Sequence, residues 1–452
     1  HNQSKSVLCV VTTTMDLLLK FAGMVFPWLF SMLLVNSLHP PRTKPPFQER
    51  KFREVFSWNQ VDFAFESEDD RQSAIQKGTY IPENNLPLGL ERWKDRVFVS
   101  IPRWKLGVPA TLNVLSLNDP NPSPLLQPYP NWSWHESGSC NSLTSVFRMA
   151  VDSCGRLWVL DSGILDALNE VKVICPPQVF VFDLATDSLL WKYEIPKSQA
   201  PDGALFTNIV IDIRDNQCDD AFAYITDVFR YGLVVYSWRD DRSWRISHPY
   251  FYPDPLVCRY ELDDVVFRWT DGVFGLALSP INPRTKERTL FFHPMSSFRE
   301  FYVSTEHLRV ENASLIVQDE FMVFSEPRGR ANSQSSASAM DRKGVLYYNL
   351  VTNNAVGCWN SRNDYLESTQ GFVEQSNVTL NFPNDLKIDH EEDQSLWVLS
   401  NRLHRYLYRK LDPNEINFRV MTVRTEDAVA GTVCQGRESK PRIVSKRKRI
   451  RY

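Results

Sequence analysis

The sequence predicts an all-β fold, a six-bladed β-propeller with a central channel, on three observations. Short β-branched and aromatic runs punctuated by Gly, Pro, Asn and Asp recur along the chain, while apolar residues at the i, i+3, i+4, i+7 spacing of an amphipathic helix are scarce. The apolar phrase LWVL occurs twice, in CGRLWVLDSG from Cys154 to Gly163 and in DQSLWVLSNR from Asp393 to Arg402. Both are flanked by turn formers, as a short strand buried on both faces would be. Aligning the chain on that phrase recovers six copies of a strand, polar turn, strand unit, with equivalent turn positions at Arg92, Asp152, Asp212, Ser279, Asp341 and Asp389. Six units of three or four strands suit a propeller, whose blades protect their sheet edges by packing radially. A pair of sandwich domains would leave the six copies unexplained.

In chain order, residues 1–37 read as upstream residues plus a secretory signal peptide. From Met15 an apolar stretch with one lysine near its start ends at Val35 and Ser37, the small-residue pattern of a cleavage site, with a membrane anchor as the alternative. Residues 38–85 form an N-terminal extension, in which the Pro-rich HPPRTKPPF precedes FREVFSWNQVDFAF. The strand expected there, Val55 to Phe65, would complete the last blade from the other end of the chain and close the ring. The propeller spans 86–425. Its first copy is the degenerate LGLERWKDRVFVSIPR with ATLNVLSL, and its second is FRMAVDSCGRLWVLDSG with QVFVFDL. The third is TNIVIDIRDNQCDDAFAYITD with YGLVVYSW, and the fourth is GVFGLALSPINPRTKERTLFFHPM with REFYVST. The fifth is ASAMDRKGVLYYNLVT with AVGCW, and the sixth is NDLKIDHEEDQSLWVLSN, for which HRYLYRK is the expected third strand. Residues 426–452 form a basic C-terminal tail whose last 16 residues carry eight Lys/Arg against one Glu, the composition of a solvated segment.

Composition bounds the function. With 43% hydrophobic and 12% aromatic residues in 452, the chain builds a large core, and a net charge of -3 supplies no global field for nucleic acid or an acidic membrane. Cys9 precedes the expected start of the mature chain. The seven remaining cysteines, Cys140, Cys154, Cys175, Cys218, Cys258, Cys358 and Cys434, show no CxxC or Cys/His cluster, which disfavours zinc and favours disulfides in an exported protein. Seven is odd, and Cys434, in the C-terminal extension, is the expected free thiol. Sequons at Asn131, Asn312 and Asn377 agree with export and mark expected glycosylation sites. No GxSxG, HExxH, P-loop or GxGxxG motif occurs, and no cofactor or metal is expected. His293 reads as a satisfied structural histidine, and Trp132 and Trp134 as packing residues.

In a propeller the innermost strand of each blade lines the channel, and the residues just ahead of it sit at the channel mouth. Those positions hold Arg148 in the second copy, Thr207 and Asn208 in the third, Thr270, Asp271 and Gly272 in the fourth, Ser336 and Ser338 in the fifth, and Asn384 and Asp385 in the sixth. Short polar residues stand where a buried strand would favour Val or Ile. They suggest a polar pocket on the axis, with Asp271 and Asp385 able to pair with a cation. Each is also an ordinary turn residue able to bond nearby backbone.

RLWVLDSG, CPPQVFVFDL, FTNIVID, AFAYITD, YGLVVYSW, FRWTDGVFGLALSP and FPNDLKID, in that order, resemble the Yellow / major royal jelly protein family of insects, from FREVFSWNQVDF to about Val423. The resemblance implies a secreted, often glycosylated six-bladed propeller. It also implies a role in the melanin pathway of pigmentation and cuticle, where some members convert dopachrome to a 5,6-dihydroxyindole, while others bind biogenic amines such as catecholamines and serotonin. The expected partner is therefore a small aromatic amine or an aminochrome. From channel position rather than family motif, Asp271 or Asp385 would be the base. Thr207, Asn208 or Asn384 would be the donors, and Phe274 or Phe382 the stacking wall. Thr270, Gly272 and Ser338 complete the expected ligand shell, which would serve an amine equally well. A lesser alternative is a Ca-dependent lactonase-like hydrolase, with Asn208, Asp271 and Asp385 as oxygen ligands.

Overall fold

Each of the six copies folds into one four-stranded antiparallel sheet, and the sheets are ordered as blades around an axis. The structure is a computed structural model describing residues 51–136, 138–311, 318–328 and 333–436; the signal segment, the sequon at Asn312 and the basic run from Arg437 lie outside them. The innermost strands are Gly89–Trp93, Val146–Val151, Phe206–Asp212, Val273–Leu278, Ser338–Met340 and Pro383–Ile388. Each lies against the next, and the first lies against the last, so the ring is closed. Closure comes from the two chain ends: Arg53–Trp58 pairs antiparallel with Phe418–Arg424 as the outermost strand of blade six.

One device recurs at the foot of the inner strands and explains the repeated LWVL. In blade two the indole N–H of Trp158 donates to Asp152 at 2.8 Å, and in blade six that of Trp397 donates to Asp389 at 2.9 Å. Blades three and five use tyrosine, the hydroxyls of Tyr224 and Tyr347 each lying 3.2 Å from Asp212 and Asp341. An aromatic donor from the second strand thus holds the carboxylate that ends the first, satisfying a charge that burial would otherwise penalise. In blade four Ser279 takes the position and accepts the Thr289 N–H. In blade one Arg92 pairs with Asp389 across the seam. The hairpin turns that follow need left-handed backbone in blades two and five, and glycine supplies it at Gly155 (φ 75°) and Gly344 (φ 83°).

Two expectations are corrected. HRYLYRK is not the third strand of the sixth copy: Leu403–Tyr408 is a helix, and Phe418–Arg424 is the strand. The segment alternates like a strand, but Leu403, Tyr406 and Leu407 also fall at i, i+3 and i+4, and all three pack into the core on that helical face. Nor is Cys434 free. It is buried and bonded to Cys358 of blade five, because the chain after blade six folds back over that sheet. Cys140 pairs with Cys175 and Cys154 with Cys218, leaving Cys258 as a buried thiol. Cys154–Cys218 ties the first turn of blade two to that of blade three.

Candidate functional site

The inner strands run in one direction, so the axis has two chemically different ends. At their N-terminal ends the axis is plugged. Arg148, fully buried, pairs with Asp385 at 2.7 Å and donates to the carbonyl and the side-chain oxygen of Asn384 at 2.8 and 2.9 Å. Its guanidinium also lies 4.8 Å over the Phe274 ring. Asp385 accepts the Leu90 N–H through its other oxygen, which joins blades one, two and six through one carboxylate. Phe147 packs on both Trp104 and Phe274, and Phe382 stacks on His404 at 5.9 Å. The hairpin Arg259–Leu262 and Val265–Arg268 adds Tyr260 and Phe267 to the same aromatic cluster. Its tip residue Asp263 is held by His404 and Arg405, each at 3.2 Å.

The C-terminal ends of the inner strands open into a cavity of about 570 Å³. Its walls mix apolar residues, including Val151, Ile209, Leu276 and Leu386, with polar and charged ones in nearly equal measure. Of the residues that sequence position nominated, Asn208, Ser338 and Asp385 reach this cavity. Asn208 donates to the Phe274 carbonyl at 2.9 Å, and the Ser338 hydroxyl is buried without a hydrogen-bond partner among the described residues. The others lie elsewhere. Thr207 bonds Thr226, and Thr270 is exposed. Gly272 is a packing position, where a Cβ would come within 2.3 Å of the Tyr231 ring. Phe274, Phe382 and Asn384 belong to the plug. Asp271 precedes its inner strand and so lies towards the closed end; although it is half-buried rather than sealed, desolvation pushes its carboxyl up to about 7.

The cavity also brings together residues that position ahead of the strands does not reveal. Glu91, only 4% exposed, accepts the N–H groups of Arg92 at 3.0 Å and Val151 at 3.2 Å. Lys387 stands 3.8 Å from the same carboxylate and donates to the Met149 carbonyl at 2.8 Å. Burial raises the Glu91 carboxyl above the usual glutamate range, partly offset by Lys387 and His390. The available signal was a charge within an inner strand, in GLERW and NDLKI, rather than just before one. His293 is buried against Glu300 at 3.0 Å, Trp134 packs on Phe182 and Trp132 stacks on Phe65, all away from the axis. Among the described residues no group of His, Cys, Asp and Glu is arranged to hold a metal ion, and no helix is long and apolar enough to cross a membrane.

The family described as major royal jelly protein matches residues 144–434. A dopaminechrome tautomerase of Drosophila melanogaster is 40% identical over 394 residues, covering 85% of this chain and 84% of that protein. A protein named yellow from Drosophila yakuba is 42% identical over 399 residues, covering 87% of this chain and 73% of that one. Among solved structures, a virginiamycin B lyase from Staphylococcus aureus aligns at 11% identity with a TM-score of 0.40, over 75% of this chain and 96% of the lyase, too distant a likeness to inform the chemistry.

Proposed function

The chain belongs to the major royal jelly protein family, and we propose that it is a pigmentation-pathway enzyme that tautomerises an aminochrome to a 5,6-dihydroxyindole in the axial cavity. The observation that carries the reading is a cavity of about 570 Å³, lined by apolar and charged residues together, on the axis of a chain 40% identical to a dopaminechrome tautomerase. A flat bicyclic quinone fits such a space, and the apolar stretches of the wall can lie against its ring. The reaction is an isomerisation. Two protons leave the carbons of the five-membered ring and two arrive on the quinone oxygens, so neither an oxidant nor a reductant is consumed. What the protein must supply is a positioned base, a positioned donor and a site that favours the developing charge.

In this reading Asp385, already bonded by Arg148 and Leu90, shapes the floor of the cavity. Asp271, towards the other end of the axis, takes no part in the chemistry. The Ser338 hydroxyl, unpartnered at the wall, is a ligand donor. We further place the mature protein outside the cell, a reading supported by its three disulfides. There Asn131 and Asn377, both exposed, would be glycosylated.

The test is to incubate purified protein with dopaminechrome, and in parallel with dopachrome, following loss of the visible absorbance and appearance of the dihydroxyindole. Ser338→Trp, which fills the cavity, abolishes turnover if the reading holds. Decay at the buffer rate, together with calorimetric binding of dopamine, would replace it with a non-catalytic amine binder.

A further inference from the structure

We propose that Glu91 and Lys387 are the acid–base couple of the axial cavity, the carboxylate taking a ring proton and the ammonium giving one to a quinone oxygen. The assignment rests on the aminochrome reading and names the residues that perform it.

Of the six carboxylates that line the cavity, four are more fully bonded than Glu91 and one is exposed. Asp152 is bonded by the Arg156 guanidinium, the Trp158 indole and the N–H groups of Cys154 and Arg156. Asp389 is bonded by Trp397, Arg92 and the Ser395 N–H, and Asp341 by Tyr347 and two backbone N–H groups. Asp385 is held by Arg148, Leu90 and its neighbour Leu386. Asp215 is exposed at the rim. A carboxylate accepts about four hydrogen bonds. Glu91 has only its two backbone donors, and its cation stands at 3.8 Å, beyond hydrogen-bond contact. Among the described residues it is therefore the buried cavity carboxylate with the most acceptor capacity left for a substrate. Burying such a pair stabilises the fold little or not at all compared with apolar side chains, so a structural role accounts poorly for its presence on the axis.

The couple also closes a proton cycle. Glu91 takes a proton from a carbon of the five-membered ring; the carbon–hydrogen electron pair moves through the conjugated ring onto a quinone oxygen, which takes a proton from Lys387. The neutral amine of Lys387 then recovers its proton from the Glu91 carboxylic acid, a transfer that needs the 3.8 Å gap to close to hydrogen-bond contact or to be bridged by one water. A second round delivers the second proton, and both side chains end as they began. The carboxyl of Glu91, raised by burial, suits a base that must both take and return a proton.

The experiment is steady-state kinetics with dopaminechrome on the full chain, comparing wild type, Glu91→Gln, Glu91→Asp and Lys387→Gln. The expected result is a fall in kcat of at least about 100-fold for Glu91→Gln, with KM changed less than about threefold and partial recovery in Glu91→Asp. In wild type kcat/KM falls as acid protonates Glu91, which faces Lys387 and His390; Glu91→Gln lacks that acid limb. Calorimetric binding of 5,6-dihydroxyindole by both amide variants checks that the cavity is intact. If Glu91→Gln does not fold, Lys387→Gln is read by the same fall in kcat. An active wild type with Glu91→Gln within threefold of it overturns the couple alone. A wild type that leaves dopaminechrome decaying at the buffer rate overturns both the couple and the reading beneath it.

Discussion

The two ends of the propeller axis each hold a buried carboxylate beside a cation, yet the pairs are built differently. At the closed end Asp385 and Arg148 meet at 2.7 Å, with the arginine also bonded to Asn384 and stacked on Phe274. At the open end Glu91 and Lys387 stay 3.8 Å apart, and the cavity reaches both. A saturated pair locks three blades together. An unsaturated one keeps bonding capacity, at some cost in stability, for whatever enters. The difference teaches that burial and charge alone do not mark a site; the number of lone pairs left over does.

That contrast predicts that substitutions at the closed end unfold the protein, while those at the open end silence it. The largest effect is expected for Arg148→Met, which strands Asp385 unpaired and should cost ~3–5 kcal/mol in urea unfolding. A variant as stable as wild type would break the comparison. Cys434→Ser opens the bridge to Cys358 and should cost on the order of 4 kcal/mol by the same measurement, with kcat for dopaminechrome unchanged, because the bridge ties blade five to the chain end and not to the axis. Trp397→Phe keeps an aromatic side chain and deletes the donor to Asp389, a loss of about 1–3 kcal/mol.

The pH-dependent effect concerns Asp271. Its carboxyl is raised from 3.8 to about 7, so the folded state holds its proton more tightly than the unfolded chain. Its contribution is fully present at low pH and is lost as pH rises from about 4 to about 7. Asp271→Asn should flatten that slope in a pH series of unfolding midpoints, without moving kcat.

Much of the architecture was legible in the sequence because it repeats. The strand, turn, strand unit is written six times, and four copies also write a carboxylate at the foot of the inner strand with an aromatic donor beside it, Asp152 with Trp158 and Asp389 with Trp397 being the clearest. What occurs once was harder to read. HRYLYRK satisfies strand and helix periodicity alike, and only contact with the core decides between them. The helix Glu68–Gln76 has no buried residue at all, so no apolar stripe announces it; its signs are the Ser67 cap that accepts the Asp70 N–H and the acidic first turn of Glu68, Asp69 and Asp70. The position of Cys434 depends on a fold-back across 76 residues.

The site divides in the same way. Position ahead of the inner strands led to Asn208, Ser338 and Asp385, because the axis gathers those strands whichever end is open. It could not tell which end that would be, since the plug depends on Arg148, a hairpin from between blades three and four, and a helix of blade six meeting in space. Glu91 and Lys387 were overlooked because each sits inside a strand, where a charge reads as a solvated face unless the strand is known to line a channel.

The most direct test of the account is a crystal structure of the wild-type protein with 5,6-dihydroxyindole bound. The account predicts the ring in the cavity at the C-terminal ends of the inner strands, with Glu91 and Lys387 within hydrogen-bond reach of its polar atoms. A ring seated instead among Phe147, Phe274 and Phe382, beneath the hairpin whose tip is Asp263, would contradict it.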